Sequence, residues 1–319
     1  MALAFTSATH HLALVLLLLV TVLSPLCFAK CHVDDEAGLL AFKSGITHDP
    51  SGFLSSWIPG TDCCRWSNIH CINTDRVTDL IIYGDTTNPN GSLTGTISPS
   101  LFIKVRQLSR ISIQDHPNIT GTLPKEMFNL PRLQFVTIKN TKLSGLLRID
   151  IGPKSDRFQE LSLSANQFTG SIPNSISQFT HLTALDLNDN KIYGGIPYGI
   201  RRLTKLTHLA LKGNQLSGGI PDIFNSFALI ELDLSYNKLS GGIPPSFSSL
   251  APQLQFFRAS HNALTGRIPA YLSNFKQLDG LDLSYNRLSG PIPTTKFPAE
   301  SFIGNDGLCG SPLPPCKKY

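Results

Sequence analysis

The 319-residue sequence has little charge and no block of basic residues. Charged residues make up 15% of the chain, and its net charge of +5 is spread without a Lys/Arg run. Proteins that bind nucleic acids usually concentrate basic residues on one face, so the sequence disfavours a nucleic-acid partner. The hydrophobic share of 41%, with 25 glycines and 22 prolines, excludes a disordered tail or a collagen-like polymer.

The sequence also lacks the motifs that are typical of common catalytic sites. It contains no G-x-S-x-G nucleophile motif, no H-E-x-x-H or C-x-x-C pattern and no glycine-rich phosphate loop. We therefore expect a protein that is not an enzyme and that needs no metal or cofactor.

Cysteine is missing from the long middle of the chain. Apart from Cys27, which lies in the N-terminal apolar segment, the cysteines stand at the two ends, at Cys31, Cys63, Cys64, Cys71, Cys309 and Cys316. This distribution predicts disulfide-locked end caps formed in an oxidising compartment. A bond between the adjacent residues 63 and 64 would be strained, which leaves either 31–63 with 64–71 or 31–64 with 63–71. The pair 309–316 follows by remainder.

The first 29 residues have the pattern of a secretory signal. Residues 12–22 are almost all Leu, Val and Ala, and small residues suit cleavage after Ala29. His10 and His11 stand where such signals usually carry Lys or Arg. The alternative is a membrane anchor, because the apolar stretch approaches the roughly 17 residues that a spanning helix needs. We expect cleavage.

A motif recurs through the rest of the chain. Its Asn returns at intervals of 24, 24, 23, 25 and 24 residues, at Asn166, Asn190, Asn214, Asn237, Asn262 and Asn286. The template is L-x-x-L-x-L-x-x-N-x-L-x-G-x-I-P, which residues 182–197 follow throughout. Earlier coils are looser: one begins at Val77, one places Asn118 at the Asn position with an extra residue, and one has Thr141 there. This period is typical of a solenoid, and we count nine coils up to Pro293.

The template predicts a strand and a turn in every coil. In L-x-L, Leu185 and Leu187 point inward while Asp186 faces out, and stacked coils pair these strands into a parallel sheet. The Asn can satisfy backbone groups of the turn, while Gly and Pro suit the chain's return. A single coil buries too little apolar surface to fold alone, so coils depend on their neighbours.

The template and its G-x-I-P ending resemble the plant-type extracellular leucine-rich repeat. The resemblance implies an α/β solenoid: a right-handed superhelix with a parallel concave β-sheet, a convex side of short helical and 3-10 segments, and disulfide-capped ends. Residues 30–75, with "DDEAGLLAFKSGI" as an amphipathic helix before "LSSW" and "DCCRWSNIHC", resemble the N-terminal cap, and in that cap the resemblance implies the pairs 31–63 and 64–71. Residues 76–293 hold the predicted repeats. Residues 294–319, with "SFIGNDGLCGSPLPPC", resemble the C-terminal cap.

Size and caps are most similar to those of polygalacturonase-inhibiting proteins and their soluble relatives. That resemblance implies a secreted plant defence glycoprotein of the apoplast or cell wall. Two features depart from it: Ser289 and Gly307 stand where those inhibitors carry additional cysteines, and the coil count looks one short. The same caps occur on receptor-kinase ectodomains, so the chain could be a soluble relative of either group.

We expect binding residues on the concave sheet, where each strand presents side chains on a rigid frame. Asp233 and Asp282 can also be read as repeated filler of the template. His208, near Asp186 and Asp233, suggests a response to acidic pH as a hypothesis. The candidate binding residues are Lys139, Asp186, Asp189, His208, Lys212, Asp233, Tyr236, Phe256, Arg258, His261, Asp282 and Tyr285.

The sequence thus favours a secreted binding protein that inhibits a microbial polygalacturonase by covering its substrate cleft. The alternative is a signalling module that binds a peptide or pairs with a receptor kinase. Cell-wall pectin is a further candidate partner. A structural cell-wall or ice-binding protein is a third class, which the irregular concave columns disfavour. Sequons at Asn90 and Asn118 predict glycosylation among the early coils.

Overall fold

A computed structural model describes residues 31–72, 75–149, 157–222, 224 and 228–317. The predicted signal at residues 1–29 lies outside this part of the chain. Two α-helices lie near its beginning, α1 (Val33–Gly45) and α2 (Pro99–Lys104). Short 3-10 helices are found at Cys63–Arg65, Pro89–Gly91, Lys125–Asn129, Asn174–Gln178, Tyr198–Arg202, Pro245–Leu250, Ala270–Asn274 and Ala299–Ser301.

Short strands make up the rest of the regular structure. In chain order they are β1 (Ile46–His48), β2 (Ile69–Ile72), β3 (Arg76–Tyr83), β4 (Thr94–Thr96), β5 (Arg110–Gln114), β6 (Asn118–Thr122), β7 (Phe135–Lys139), β8 (Lys142–Leu146), β9 (Glu160–Ser162), β10 (Gln167–Thr169), β11 (Ala184–Asp186), β12 (Tyr193–Gly194), β13 (His208–Ala210), β14 (Gln215–Gly219), β15 (Glu231–Asp233), β16 (Lys238–Gly241), β17 (Phe256–Arg258), β18 (Ala263–Gly266), β19 (Gly280–Asp282), β20 (Arg287–Pro291) and β21 (Gly307–Cys309).

The concave sheet takes one strand from each successive coil. Its order is β2-β3-β5-β7-β9-β11-β13-β15-β17-β19, and within the described residues every pairing is parallel except the antiparallel β2–β3 pair at its N-terminal edge. Two further sheets, β1-β4-β6-β8-β10 and β12-β14-β16-β18-β20-β21, form the flank of the solenoid. The parallel sheet that the alternating leucines predict is therefore confirmed.

The core is a set of apolar rows that run across the coils. The register pairs Leu185 with Leu161 on one side and with Leu209 on the other, and the row continues through Leu232. All four side chains are fully buried. A second row, which includes Leu187, Leu211 and Leu234 in its central coils, is equally buried. Every inward side chain thus obtains its apolar cover from the coils before and after it.

The N-terminal cap is held by helix α1 and by disulfides. The carboxylate of Asp35, fully buried, accepts hydrogen bonds from the guanidinium of Arg76, 2.9 Å from both Nε and Nη2, and from the backbone N–H of Val77. These bonds join α1 to the start of β3. The disulfides are Cys31–Cys63 and Cys64–Cys71 in this cap and Cys309–Cys316 in the C-terminal cap, which confirms the pairing that the resemblance implies.

The repeated Asn joins neighbouring coils through the backbone. The side-chain amide of Asn190 donates to the carbonyls of Leu187 in its own coil and of Leu163 in the preceding coil. Its Oδ1 accepts the N–H of Phe168, also in the preceding coil, at 3.0 Å. The same bonds recur from Asn214 to Asn286 and continue to Asn305 in the C-terminal cap. This Asn ladder is structural, as the template predicts.

In the coil that contains strands β5 and β6, the ladder position is occupied by His116 and not by Asn118, the residue predicted from the sequence. His116 is fully buried, and its Nδ1 accepts the N–H of Leu93 in the preceding coil at 3.2 Å. Asn118 begins strand β6. The alignment was wrong because the extra residue follows the ladder position instead of preceding it. One coil later, the Thr141 hydroxyl donates to Asn166 and accepts the N–H of Leu143.

Burial keeps His116 neutral. Since Nδ1 accepts a hydrogen bond, the ring proton lies on Nε2, which has no hydrogen-bond partner among the described residues. The ring also meets Phe53 of the N-terminal cap edge-on, with centroids 5.1 Å apart. Burial lowers the pKa of His116 from 6.5 to about 4, against the opposing pull of Asp115 and Asp49.

Acid is therefore expected to destabilise the fold through His116. An unfolded chain binds a proton at this residue below its ordinary value of 6.5, whereas the folded chain does so only near 4. The contribution of neutral His116 to the free energy of unfolding is fully present above pH 6.5. It is lost as the pH falls from 6.5 towards 4, by about 3 kcal/mol in total. Denaturant unfolding at a series of pH values measures it. His116→Asn, which restores the ladder residue and does not titrate, should show a shallower loss, and identical pH profiles would contradict this assignment.

Candidate binding surface

Outward side chains on the concave sheet form columns across the coils. We call the residues between the two buried rows the middle column, and those in the turn three residues further on the turn column. The candidates Asp186, Asp233, Arg258 and Asp282 lie in the middle column, while Asp189, Tyr236, His261 and Tyr285 lie in the turn column. Of the other four candidates, Lys139 and Lys212 each lie one residue before the turn-column position of their coil. His208 and Phe256 are the first residues of their strands. All twelve therefore lie on the concave strands or in the turns that follow them.

The turn column places three aromatic rings in a row. Tyr236 and His261 are stacked with ring centroids 4.2 Å apart, and His261 and Tyr285 at 4.3 Å. Their backbones share a left-handed conformation with φ of 53 to 55°, so the side chains leave successive coils in the same direction. Lys212 Nζ lies 5.7 Å from the Tyr236 ring centroid at one end of this aromatic row. With Tyr236 50% and Tyr285 48% exposed, the row offers a rigid contact surface of the kind that dominates binding energy.

Lys139 and Asp186 form a bridge across three strands. Lys139 Nζ lies 3.0 Å from Asp186 Oδ2, and the Ser162 hydroxyl between them donates to the same oxygen at 2.8 Å. Burial acts to raise the pKa of Asp186, but the hydrogen bonds from Ser162, from the Asn188 N–H and from Lys139 outweigh it and lower the pKa. This carboxylate is therefore ionised and already paired with a cation.

Asp233 and Asp282 hold the turns that follow their strands. Asp233 Oδ1 accepts the N–H of Ser235 at 2.9 Å, and Asp282 Oδ1 accepts the N–H of Ser284 at 3.1 Å. Asp186 does the same for Asn188. The recurrence of Asp at this template position thus has a local structural reason, which favours the filler interpretation of Asp233 and Asp282.

The strand register places a different acid beside His208 from those expected. Its register partner on β15 is Glu231, whereas Asp186 and Asp233 both pair with Ala210, two residues further on. Glu231 in turn accepts a hydrogen bond from Arg258, with Nη1 2.5 Å from Oε1, and the Arg258 guanidinium lies 5.0 Å from the Phe256 ring centroid. The strand register therefore places neither Asp186 nor Asp233 directly beside His208.

A set of basic residues at the strand-entry edge of the sheet was missed in the sequence. Each precedes a buried apolar residue in one of four successive coils, and together we call them the basic edge column: Arg132, Arg157, His181 and Lys205. The last three line a groove with Gln134, Gln159 and Thr183. The sequence pattern that could have identified them is a basic residue that recurs at intervals of 25, 24 and 24 residues, at a position of the repeat that leucine does not occupy.

The two sequons lie away from the aromatic row. Asn90 is exposed in the 3-10 turn Pro89–Gly91, and Asn118 is the first residue of β6 on the flank. Both belong to early coils, as expected, and their glycosylation stays a prediction.

Family comparisons match the caps and coils described above. A model described as "Leucine rich repeat N-terminal domain" matches residues 32–72, and leucine rich repeat models match residues 156–216, 228–250 and 277–295. The chain has the leucine-rich repeat fold and is similar to plant extracellular leucine-rich repeat proteins. One curated relative, a polygalacturonase inhibitor of Vitis vinifera, is 32% identical over 130 residues, which cover 40% of this chain and 36% of that protein. The leucine-rich repeat chain spans about a third of the length of the first curated relatives that it matches.

Solved structures share the fold over most of the chain. A plant ice-binding protein is 29% identical with a TM-score of 0.72, covering 90% of this chain and 99% of that one. The Arabidopsis receptor kinase HAESA, in complex with the peptide hormone IDA and the co-receptor SERK1, is 34% identical with a TM-score of 0.64, covering 73% of this chain and 41% of that one. In the described part of this leucine-rich repeat protein, no helix has the length and apolar character needed to cross a bilayer.

Proposed function

We propose that this leucine-rich repeat protein is a secreted, non-enzymatic inhibitor of a microbial polygalacturonase in the plant apoplast or cell wall. The observation that carries the proposal is the aromatic row on the concave side, because stacked and half-exposed rings on a rigid frame suit a protein partner. The similarity to curated polygalacturonase inhibitors supports the choice of partner. The end-cap disulfides support an oxidising compartment.

Inhibition would follow from covering the enzyme's substrate cleft. The Asp186 carboxylate is committed to Lys139 and Ser162, and the Asp233 and Asp282 carboxylates to their own turns. Their roles in the fold favour recognition over acid–base catalysis at this surface. The partner would be held by the aromatic row and by the adjoining cation Lys212.

The purified protein is expected to slow pectin degradation by a fungal polygalacturonase, measured as the release of reducing ends. The triple variant Tyr236→Ala/His261→Ala/Tyr285→Ala should weaken inhibition about thirtyfold, equivalent to roughly 2 kcal/mol of interface energy. Tyr193→Ala/Tyr198→Ala, which removes two exposed tyrosines outside the concave sheet, is the matched control and should inhibit like the wild type. Equal loss in both variants, or no inhibition by the wild type, would contradict the proposal.

A second candidate is a recognition module that binds a peptide or pairs with a receptor kinase. The HAESA complex favours it, because that ectodomain holds a peptide hormone on a fold that this chain shares. This candidate would be selected if the protein captured receptor ectodomains from apoplastic extract and did not inhibit polygalacturonase. Thermal hysteresis of the purified protein would instead select the ice-binding class, to which the structural neighbour belongs by name.

A further inference from the structure

The basic edge column lies at the opposite end of the concave strands from the aromatic row. We propose that this column binds an acidic, extended segment of the protein partner. The inference rests on the proposed function in one respect only, which is that the partner is a protein. It adds a second contact with a defined chemistry.

Three other cations on the concave strands are paired with acids. Arg110 lies 3.7 Å from Asp79, Lys139 lies 3.0 Å from Asp186, and Arg258 lies 2.5 Å from Glu231. By contrast, the exposed side chains of the basic edge column make no ion pair with any other described residue. The basic edge column therefore leaves positive charge available for a ligand.

The spacing of the column makes an anionic ligand favourable. Successive coils lie about 4.8 Å apart, so the neighbouring cations Arg132 and Arg157 repel each other by up to roughly 1 kcal/mol in water. No acid of the described chain offsets this repulsion, whereas a bound row of carboxylates would.

The dimensions and lining of the groove suit a peptide. Four coils span about 15 Å, the length of roughly five residues of extended chain. The side-chain amides of Gln134 and Gln159 and the hydroxyl of Thr183 line the groove, and such groups can pair with peptide N–H and C=O groups. Clustered cations with adjacent polar groups are a recurring way of recognising acidic motifs.

The groove suits a polysaccharide less well. Sugar rings are commonly held against open aromatic faces. Among the described residues that line this groove, only His181 has an aromatic side chain. The nearby Phe135 ring is covered by the guanidinium of Arg110, 4.6 Å from its centroid. An acidic peptide segment needs no such stacking platform.

The test measures binding of a fluorescent oligo-glutamate peptide to the full chain by anisotropy. The triple variant Arg132→Gln/Arg157→Gln/Lys205→Gln should weaken binding about tenfold, since exposed ion pairs contribute a few tenths to about 1 kcal/mol each. Wild-type binding should also weaken as salt is raised. The matched control, Lys142→Gln/Lys191→Gln/Lys238→Gln, removes three exposed flank cations, each hydrogen-bonded to a side-chain amide, and should bind within about twofold of the wild type.

Several outcomes would overturn the inference. Equal weakening in the two triple variants would mean a response to net charge alone. Tighter binding of an oligogalacturonide than of the peptide, abolished by the edge variant, would assign the column to a polysaccharide. Because polygalacturonase inhibition is assayed separately, an active inhibitor that does not bind the peptide contradicts this inference alone. Peptide binding without inhibition contradicts only the choice of enzyme.

Discussion

Leu234→Ala is expected to lower the free energy of unfolding by about 2–5 kcal/mol. Leu234 is fully buried directly after β15, in the row that includes Leu211 one coil earlier. Its N–H donates to the carbonyl of Arg258 at 2.8 Å, so the backbone is held from the next coil while the side chain is truncated. A cavity would remain, because the neighbouring coils cannot close onto the smaller residue without breaking their own register.

Urea unfolding monitored by circular dichroism measures this effect. Lys238→Ala on the same coil removes an exposed side chain and should change the stability by no more than about 0.5 kcal/mol. If Leu234→Ala were as neutral as Lys238→Ala, the inward row would be misassigned.

The solenoid could be predicted from the sequence because every coil repeats the same pattern of buried apolar residues followed by a turn. A single L-x-L segment is ambiguous, but its recurrence with one Asn and one Gly at fixed distances is compatible with few structures. Leu185, Leu209 and Leu232 accordingly lie in one buried row. Disulfide geometry alone left two pairings open for the N-terminal cap, and the family resemblance selected the one observed.

The ladder residue of an irregular coil could not be predicted from residue type. Asn118 matches the template by its chemistry, but His116 lies at the right distance from the buried strand and has an acceptor nitrogen. Position relative to the strand decides which side chain reaches the Leu93 N–H. A search for any buried acceptor three residues after the second apolar position would have identified His116.

The sequence predicted which residues share the concave face but not which of them remain available for binding. Lys139 pairs with Asp186 two coils away, a contact that depends on side-chain length and on the curvature of the sheet. The repeat pattern contains neither quantity. The basic edge column was missed for a related reason. Its residues differ from three other basic residues of the sheet in having no acidic partner among the described residues, and the repeat pattern does not predict which side chains form ion pairs.

Asn214→Leu is expected to cost about 3–5 kcal/mol, because the ladder bonds cannot be replaced. The N–H of Ile192 loses Asn214 Oδ1 as its acceptor, and the carbonyls of Leu187 and Leu211 each lose one of two side-chain donors. Leucine has nearly the same size, so the loss reports on hydrogen bonding and not on a cavity. Gln215→Leu, an exposed substitution at the next residue, is the control and should be nearly neutral.

Native-state hydrogen exchange on the wild type and Asn214→Leu tests most directly whether the coils stabilise one another. The N–H groups of Ile192, Leu216 and Leu239 each donate to the ladder Asn of the following coil and should exchange slowly in the wild type. We predict that Asn214→Leu accelerates exchange at Ile192 and also at Leu216 and Leu239, because neighbouring coils lose stability together. Faster exchange at Ile192 alone, with the other two at wild-type rates, would contradict mutual stabilisation of the coils.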